Sequence, residues 1–543
     1  MNWVFRFLIF LFATSNLPAQ YPEGKYRVQL SDKENNNFIL ASPEAFLSNR
    51  SLQRRKNQNI RVDFTDLPVS QFYLDSMTRL GIPVLNTSRW FNSVTTDNID
   101  SSQVMLLLHQ RFVTDVVFLK PAILKEKNSK SGIRNTSFET GPDYGYGLGQ
   151  IALNKGDKLH EMGYTGNGMQ IAIIDAGFRN ADVLPAFYSL WNDGRILGWR
   201  DFVEPENNVF NAHPHGTYVL SDIGSYIPGF MIGTAPDASF WLLRSEDTET
   251  EYLIEEDNWV SAAEYADSAG ADVINTSLGY TTFDDSAQNH TYQDMNGHTT
   301  RISVAAGMAA SKGMILAVSA GNDGNKDWRY IGAPADADSI LAVGAVSSAG
   351  VIAPFSSHGP SSDGRIKPDV CAMGWGTYIF SPDGSLGQGN GTSLSAPVIS
   401  GLLACLWQAN PRATNMQIRQ AVLESSDRFE DPDTLYGYGI PDFYTANLIL
   451  KSNFRSPFDT TDYFTLFPNP FHYEFYLSFD SPSDTEVFIS AYNQTGALMS
   501  HFTYPVKKGY NLILINDLSG FDQGIYILKI QSGSHTAHKL VIK

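Results

Sequence analysis

Two periodicities divide this chain. Between Met169 and Val346, short apolar runs rich in β-branched residues alternate with helical patterns: MQIAIID (Met169 to Asp175), ADVINTSL (Ala271 to Leu278), MILAVSA (Met314 to Ala320) and ILAVGAV (Ile340 to Val346). Runs that are apolar on both faces and separated by helices predict parallel strands buried in an α/β layered domain. After Pro457 the pattern becomes strict alternation without helices, in FYLSF (Phe475 to Phe479), EVFISAYN (Glu486 to Asn493), NLILI (Asn511 to Ile515), GIYILKI (Gly524 to Ile530) and HKLVIK (His538 to Lys543). That predicts a small antiparallel β-sandwich. Ahead of both, from Tyr21 to about Thr136, apolar alternation in KYRVQL (Lys25 to Leu30) and VMLLLH (Val104 to His109), with helical spacing in FLSNRSLQRR (Phe46 to Arg55), predicts a small α+β unit. Within the middle region HGTYVLSDIGSY (His215 to Tyr226) and SAPVISGLLACLW (Ser395 to Trp407) read as helices, Pro397 being tolerated because it falls near a helix start.

A chain of 543 residues is too long for one core, so several domains are expected. With 43% hydrophobic and 18% charged residues it has apolar surface to bury and no bias toward disorder. The run VFRFLIFLFA (Val4 to Ala13), carrying Arg6, is too short to span a bilayer, which takes about 20 residues, and reads as a signal peptide over residues 1–20. Leu17 with Ala19, or Pro18 with Gln20, fits the small-x-small cleavage rule loosely, and no later stretch is expected to cross a membrane. The net charge of −18 argues against a nucleic-acid partner, and it is unevenly spread. Residues 21–136 hold 16 Lys and Arg against 11 Asp and Glu, a formal +5, whereas residues 137–543 carry −24. A basic segment that docks on its own acidic domain accounts for this, with KEKNSKSGIR (Lys125 to Arg134) as an exposed linker and cut site; an independent domain with solvated charges is the alternative. The two cysteines, Cys371 and Cys405, read as buried small hydrophobes rather than as a disulfide.

Four fragments carry the chemistry: IAIIDAGF (Ile171 to Phe178), HGT (His215 to Thr217), AGN (Ala320 to Asn322) and GTSLSAP (Gly391 to Pro397). They supply an orienting carboxylate, a base, an oxyanion donor and a nucleophile, the roles a serine hydrolase needs because a free hydroxyl attacks poorly until an imidazole takes its proton. Asp175, Ser277 and Asn322 fall where the apolar runs stop, and ligands of such sheets bind beyond the strand carboxyl ends. Each residue has a plainer reading: Ser393 as a helix cap, Asp175 as a strand-end turn cap, Asn322 as a turn residue in AGNDG, and His213 as a competitor of His215.

The chain order Asp, His, Ser, with INTSLGY (Ile274 to Tyr280) and KPDVCAMG (Lys367 to Gly374), resembles the subtilisin-like (subtilase) serine proteases from about Tyr144 to Leu450. The resemblance implies an α/β, subtilisin-like three-layer domain with a parallel sheet. It implies catalytic Asp175, His215 and Ser393, an oxyanion donor in Asn322, and substrate binding by the edge strand Ser277, Leu278 and Gly279 with Ala320 and Gly321. The family's usual second histidine after GT is Tyr218 here, and its usual Thr after the aspartate is Ala176. His215 and Asn322 also separate the chain from the sedolisin-type peptidases, which place acids in those roles. FPNPF (Phe467 to Phe471), YNQTG (Tyr492 to Gly496) and the final KLVIK resemble type IX (Por) C-terminal sorting domains, a bland immunoglobulin-like domain being the alternative.

The expected organisation is a signal peptide at 1–20, an inhibitory and folding propeptide at 21–136, a peptidase domain at 137–455 and a sorting domain at 456–543. The expected product is a secreted or surface endopeptidase made as a zymogen. Its expected partners are protein or peptide substrates, its own propeptide and the outer-membrane type IX machinery. No cofactor is required and no metal ligands are assigned, although structural Ca²⁺ is frequent in the family. A catalytically silent binding protein on the same scaffold, or a serine esterase, are the rival readings. Ser245 to Trp259, with seven acidic residues and no Lys or Arg, reads either as a solvated acidic loop, with or without a bound Ca²⁺, or as a wall that prefers basic residues upstream of the scissile bond.

Overall fold

The computed structural model describes residues 21–122, 144–453, 463–467, 469–471 and 473–543. The signal peptide and the Lys125 to Arg134 linker lie outside the described residues. Packing divides the chain into two units, Met1–Leu450 and Lys451–Lys543.

The first part of unit one is a four-stranded antiparallel sheet in the order β2-β3-β1-β4, built from β1 (Gly24–Leu30), β2 (Val84–Ser88), β3 (Ser93–Thr96) and β4 (Val113–Pro121). Its helices are α1 (Asn49–Asn57), α2 (Gln71–Arg79) and α3 (Ser101–Leu108). Alternation along β1 places Tyr26, Val28 and Leu30 in a core closed by Tyr73 and Met77 of α2 and by Val104 and Leu107 of α3. VMLLLH is therefore helix and not strand. Asp100 and Gln103 form a reciprocal capping box at its start, and the run is apolar without true alternation, so the spacing of Val104 and Leu107 decides.

The rest of unit one holds an eight-stranded sheet in the order β14-β13-β12-β11-β10-β5-β9-β6. Its strands are β5 (Gln170–Asp175), β6 (Ile196–Asp201), β9 (Ser239–Arg244), β10 (Val273–Thr276), β11 (Ile315–Ser319), β12 (Leu341–Ser347), β13 (Val370–Phe380) and β14 (Leu386–Asn390); a separate two-stranded ribbon pairs β7 (Tyr226–Ile227) with β8 (Met231–Ile232). All the sheet's pairings are parallel except that of β13 with β14 at one edge. The helices are α4 (Leu148–Ala152), α5 (Gly156–Glu161), α6 (Tyr188–Asn192), α7 (His215–Gly224), α8 (Ile254–Ala269), α9 (Arg301–Ser311), α10 (Thr392–Ala409), α11 (Asn415–Glu424) and α12 (Phe443–Asn453). Ala172 and Ile174 of β5, Ile274 of β10 and Val318 of β11 join Trp259 and Ala263 of α8 and Ile302 and Ala306 of α9 in one core cluster. α7 and α10 pack on each other and on the central strands. By length and composition α10 is apolar enough to cross a membrane, contrary to expectation, yet it is buried from Leu394 to Trp407 as a core helix of this domain. Cys371 on β13 and Cys405 on α10 are buried free thiols, and burial pushes both well above the ordinary thiol range.

The basic segment docks on α8 through buried charge. Asp267, fully buried, accepts from Arg55 at 2.8 Å and from Arg54 and Arg89, while Arg55 also reaches Asp66 at 2.8 Å. Burial alone would raise that carboxyl, but Arg55, Arg89 and Arg54 hold it far below the usual carboxylate range. Beside it Glu264 accepts Ser88 Oγ at 2.6 Å and the Arg89 and Trp90 N–H groups at 2.7 and 3.1 Å. Further out, Arg27 meets Asp257 at 2.9 Å and Lys312 meets Asp66 at 3.1 Å.

Unit two is a sandwich of a three-stranded sheet, β15-β16-β19, and a four-stranded sheet, β18-β17-β20-β21. The strands are β15 (Thr465–Phe467), β16 (Phe475–Ser481), β17 (Thr485–Tyr492), β18 (Leu498–Val506), β19 (Gly509–Ile515), β20 (Ile525–Ser532) and β21 (His535–Ile542), and all their pairings are antiparallel. Phe475, Leu477 and Phe479 face Val487, Ile489, Leu528 and Ile530 across its core.

Removing one partner of a buried ion cluster strands the other charges, at a cost of about 3–5 kcal/mol. Asp267→Ala in the uncut chain should therefore lower the urea-unfolding free energy by about that amount; an unchanged midpoint would show that the arginines do not depend on Asp267.

Candidate active site

The site is built where β5 ends. Asp175 is its last residue, 1% exposed, and a polar group so buried needs hydrogen-bond partners. It finds them in the Ala176 N–H, which donates to Oδ1 at 2.7 Å, and in His215 Nδ1, 2.8 Å from Oδ1 and 3.0 Å from Oδ2. The backbone N–H of Ala176 thus serves Asp175 where the usual threonine hydroxyl is missing. His215 is the first residue of α7, and a glycine on each side of the junction permits the approach. The Gly216 N–H donates to the Gly177 carbonyl at 2.9 Å, and a Cβ on Gly216 would stand 2.5 Å from that oxygen and 2.7 Å from the Phe178 ring. Asp175 engages His215 and not His213, whose ring lies 6.5 Å from that of His215. Burial lowers the His215 pKa, but the charge of Asp175, their hydrogen bond and the charge of Glu246 outweigh it, so the net shift is above the ordinary 6.5.

Ser393 and Asn322 form the second half of the site. Ser393 lies in the first turn of α10, where backbone N–H groups have no intrahelical acceptor and the helix dipole favours negative charge. Asn322 Oδ1 accepts the Thr392 N–H at 2.9 Å and Thr392 Oγ1 at 3.1 Å, which turns its Nδ2 the other way. The point where Gly391 would carry a Cβ lies 2.9 Å from Ser393 Oγ and 3.7 Å from Asn322 Nδ2, so hydroxyl and amide flank the same spot. Ala320 and Gly321 lead into Asn322: the Ala320 N–H donates to Val343 O at 3.0 Å, and Gly321, at φ +110°, donates to Thr392 Oγ1 at 3.1 Å.

Ser277 links the two halves. It lines the cleft that holds Asp175 and His215, and its hydroxyl donates to the Ser393 carbonyl at 2.9 Å. Leu278 lines the same cleft, and Gly279 is exposed with no backbone hydrogen bond among the described residues, leaving both its polar groups available to a ligand. No hydrogen bond joins Ser393 Oγ to His215 among the described residues; such bonds tighten when substrate arrives.

The acidic stretch Ser245 to Trp259 is not a solvated loop, because α8 begins at Ile254 and buries Glu255, Glu256 and Asp257. Glu256 pairs with His290 at 2.6 Å, and Asp257 with Arg27 and Arg301. Glu246, Glu251 and Glu255 instead line the cleft beside His215. Burial raises Glu246 to about 7, with Asp175 adding repulsion, and burial with the charge of Glu246 raises Glu251 to about 8. The Tyr280 hydroxyl, at the end of the INTSLGY fragment, donates to Glu246, a long-range contact of which the fragment gives no sign.

A model of the subtilase family matches residues 166–439. The chain belongs to the subtilase family. A Bacteroidota propeptide domain of the same peptidase family matches residues 25–134, and a secretion-system C-terminal sorting domain matches residues 465–543. Subtilisin E from Bacillus subtilis (strain 168) is 31% identical over 299 residues, 54% of this chain and 69% of subtilisin E. The subtilisin of Bacillus pumilus is 31% identical over 54% of this chain and 95% of its own. A crystal structure of MycP1 with its N-terminal propeptide removed aligns at 22% identity over 57% of this chain and 98% of that one, with a TM-score of 0.44. This subtilase is thus a subtilisin-like serine peptidase with a zymogen propeptide, and its sorting domain directs it to the cell surface or the extracellular space by type IX secretion.

A raised imidazole pKa keeps the cation present to a higher pH. Imidazole NMR titration of the subtilase should place the His215 midpoint above 6.5, and Glu246→Gln should move it down by removing a carboxylate that favours the cation. A midpoint below 6.5, or one indifferent to Glu246, would contradict this electrostatic account.

Proposed function

We propose that this subtilase hydrolyses peptide bonds through an acyl-enzyme on Ser393, after its propeptide is cut away. His215 Nε2 takes the Ser393 proton as Oγ attacks the scissile carbonyl, then returns it to the leaving amine. Asp175 fixes the imidazole tautomer through Nδ1 and stabilises the cation that forms. The Asn322 amide and the Ser393 N–H hold the tetrahedral oxyanion at the α10 terminus. An extended substrate lies along Ser277, Leu278 and Gly279 as an added strand, with Ala320 and Gly321 on the far side of the scissile residue. The observation that carries this reading is the buried Asp175 carboxylate at 2.8 Å from His215 Nδ1, in a cleft that Ser277 ties to the Ser393 backbone.

The borders follow from the same reading: a signal peptide at 1–20, a propeptide at 21–136, a peptidase at 137–455 and a sorting domain at 456–543 that engages the outer-membrane type IX machinery. Maturation falls within Lys125 to Arg134 or just after. The assigned chemistry uses only side chains and backbone N–H groups.

Expression of the full chain beside Ser393→Ala, followed by size and casein cleavage, tests the assignment. The wild type should shorten and cleave casein, whereas Ser393→Ala should keep its N-terminal segment and be inert. An active Ser393→Ala protein would overturn the role of Ser393, and two equally inert chains would favour a silent binding protein. Asn322→Ala should cost about 10²–10³-fold in kcat with little change in KM; a loss confined to KM would remove Asn322 from the oxyanion site.

A further inference from the structure

The cleft beside His215 contains a cavity of about 220 Å³, whose lining includes His215, Asp175, Ser277, Leu278, Glu246 and Glu251. Carboxylate oxygens of Glu246, Glu251 and Glu255 all lie within 4.8 Å of one another. Among the described residues none of the three forms an ion pair. Arg244, two positions before Glu246 in sequence, is committed elsewhere: its Nη1 donates to Asp201 at 2.8 Å and its Nε to the Glu246 carbonyl at 3.2 Å. Three partly desolvated carboxylates this close repel one another unless a proton or a cation joins them, and a cation would displace the proton.

A second observation shows what kind of cation this wall accepts. Lys120, on the extended strand β4 of the propeptide, points its ammonium into the same loop, 2.5 Å from Asp247 Oδ2 and 2.5 Å from Thr250 Oγ1, with the Tyr252 ring 5.7 Å away. The strand is held beside it by Gln288 Nε2, which donates to the Leu119 carbonyl at 3.0 Å. Asp247 lines the cavity too. An extended strand thus already seats a lysine on Asp247, which lines the same cavity as the three glutamates and the proposed base.

We propose that Glu246, Glu251 and Glu255 form a specificity pocket for the ammonium or guanidinium of a substrate residue upstream of the scissile bond. This rests on the peptidase reading and names its substrate class: proteins with Lys or Arg shortly before the bond that is cut. A side-chain cation suits the pocket better than a divalent ion. Ca²⁺ takes six to eight oxygen ligands, whereas both oxygens of Glu255 already accept backbone N–H groups, from Tyr252 at 3.2 Å and Asp247 at 3.3 Å, and Glu246 accepts Tyr280 and Ser245 hydroxyls. A guanidinium brings five donors to such a set, and charge-assisted hydrogen bonds are the strong ones.

The test uses the mature wild-type protein and fluorogenic peptides carrying Lys, Arg, Ala or Glu in turn at each of the four upstream positions, with EDTA or with added Ca²⁺. At one position kcat/KM for Lys or Arg should exceed that for Ala by roughly tenfold to a hundredfold in either buffer. Glu251→Gln and Glu246→Gln should each pull that ratio toward one. Casein cleavage without any cationic preference overturns the pocket and leaves the peptidase reading standing. Failure of the wild type to cleave any substrate sinks the peptidase reading itself. Thermal stabilisation by Ca²⁺ that the Glu251→Gln protein lacks, without a Lys or Arg preference, assigns the pocket to a metal ion and likewise overturns the proposal.

Discussion

The structure turns on one buried carboxylate. Asp175 closes a strand that is buried from Ile171 onward, and there an N–H of the next residue and the imidazole of His215 both donate to its carboxylate. Bringing His215 to it fixes the start of α7, the close approach at Gly177 and Gly216, and with them the wall of the cleft. The same constraint gives the imidazole its tautomer, since Nδ1 must carry the proton and Nε2 is left to accept one. The Ser277 hydroxyl then ties the end of β10 to the first turn of α10, where Ser393 lies beside Asn322.

Charge organises the periphery of that centre in two opposite ways. On one side of α8, Asp267 and Glu264 meet three arginines and a run of backbone N–H groups from the propeptide, so every carboxylate there is answered. At the start of α8 and in the loop before it, Glu246, Glu251 and Glu255 meet no cation among the described residues and open on the cleft. One group of carboxylates is thus satisfied within the zymogen, and the other lines the cleft beside His215.

Much of this was legible in the sequence. Apolar runs at Met169 to Asp175, Met314 to Ala320 and Ile340 to Val346 became β5, β11 and β12, because strands covered by helices on both faces leave no other pattern. VMLLLH misled, since a short apolar run fits strand or helix and only the Asp100 cap and its Gln103 partner separate the two. β18 went unnoticed because Leu498 to Val506 mixes exposed apolar residues with His501 and Pro505. The acidic stretch concealed its division between buried pairs and cleft because pairing with Arg27, His290 and Arg301 joins residues far apart in the chain. In the site, two of the motifs meet where Asp175 pairs with His215, whereas Tyr280, Thr392 and the Ser277 hydroxyl act through contacts that no local pattern encodes.

The most direct measurement of the central claim is covalent labelling of the mature protein with a fluorophosphonate, followed by peptide mapping. The account predicts one adduct, on Ser393, whose rate falls by several orders of magnitude when His215 is replaced by alanine. Labelling of a different serine, or labelling of Ser393 at the same rate without His215, would contradict it.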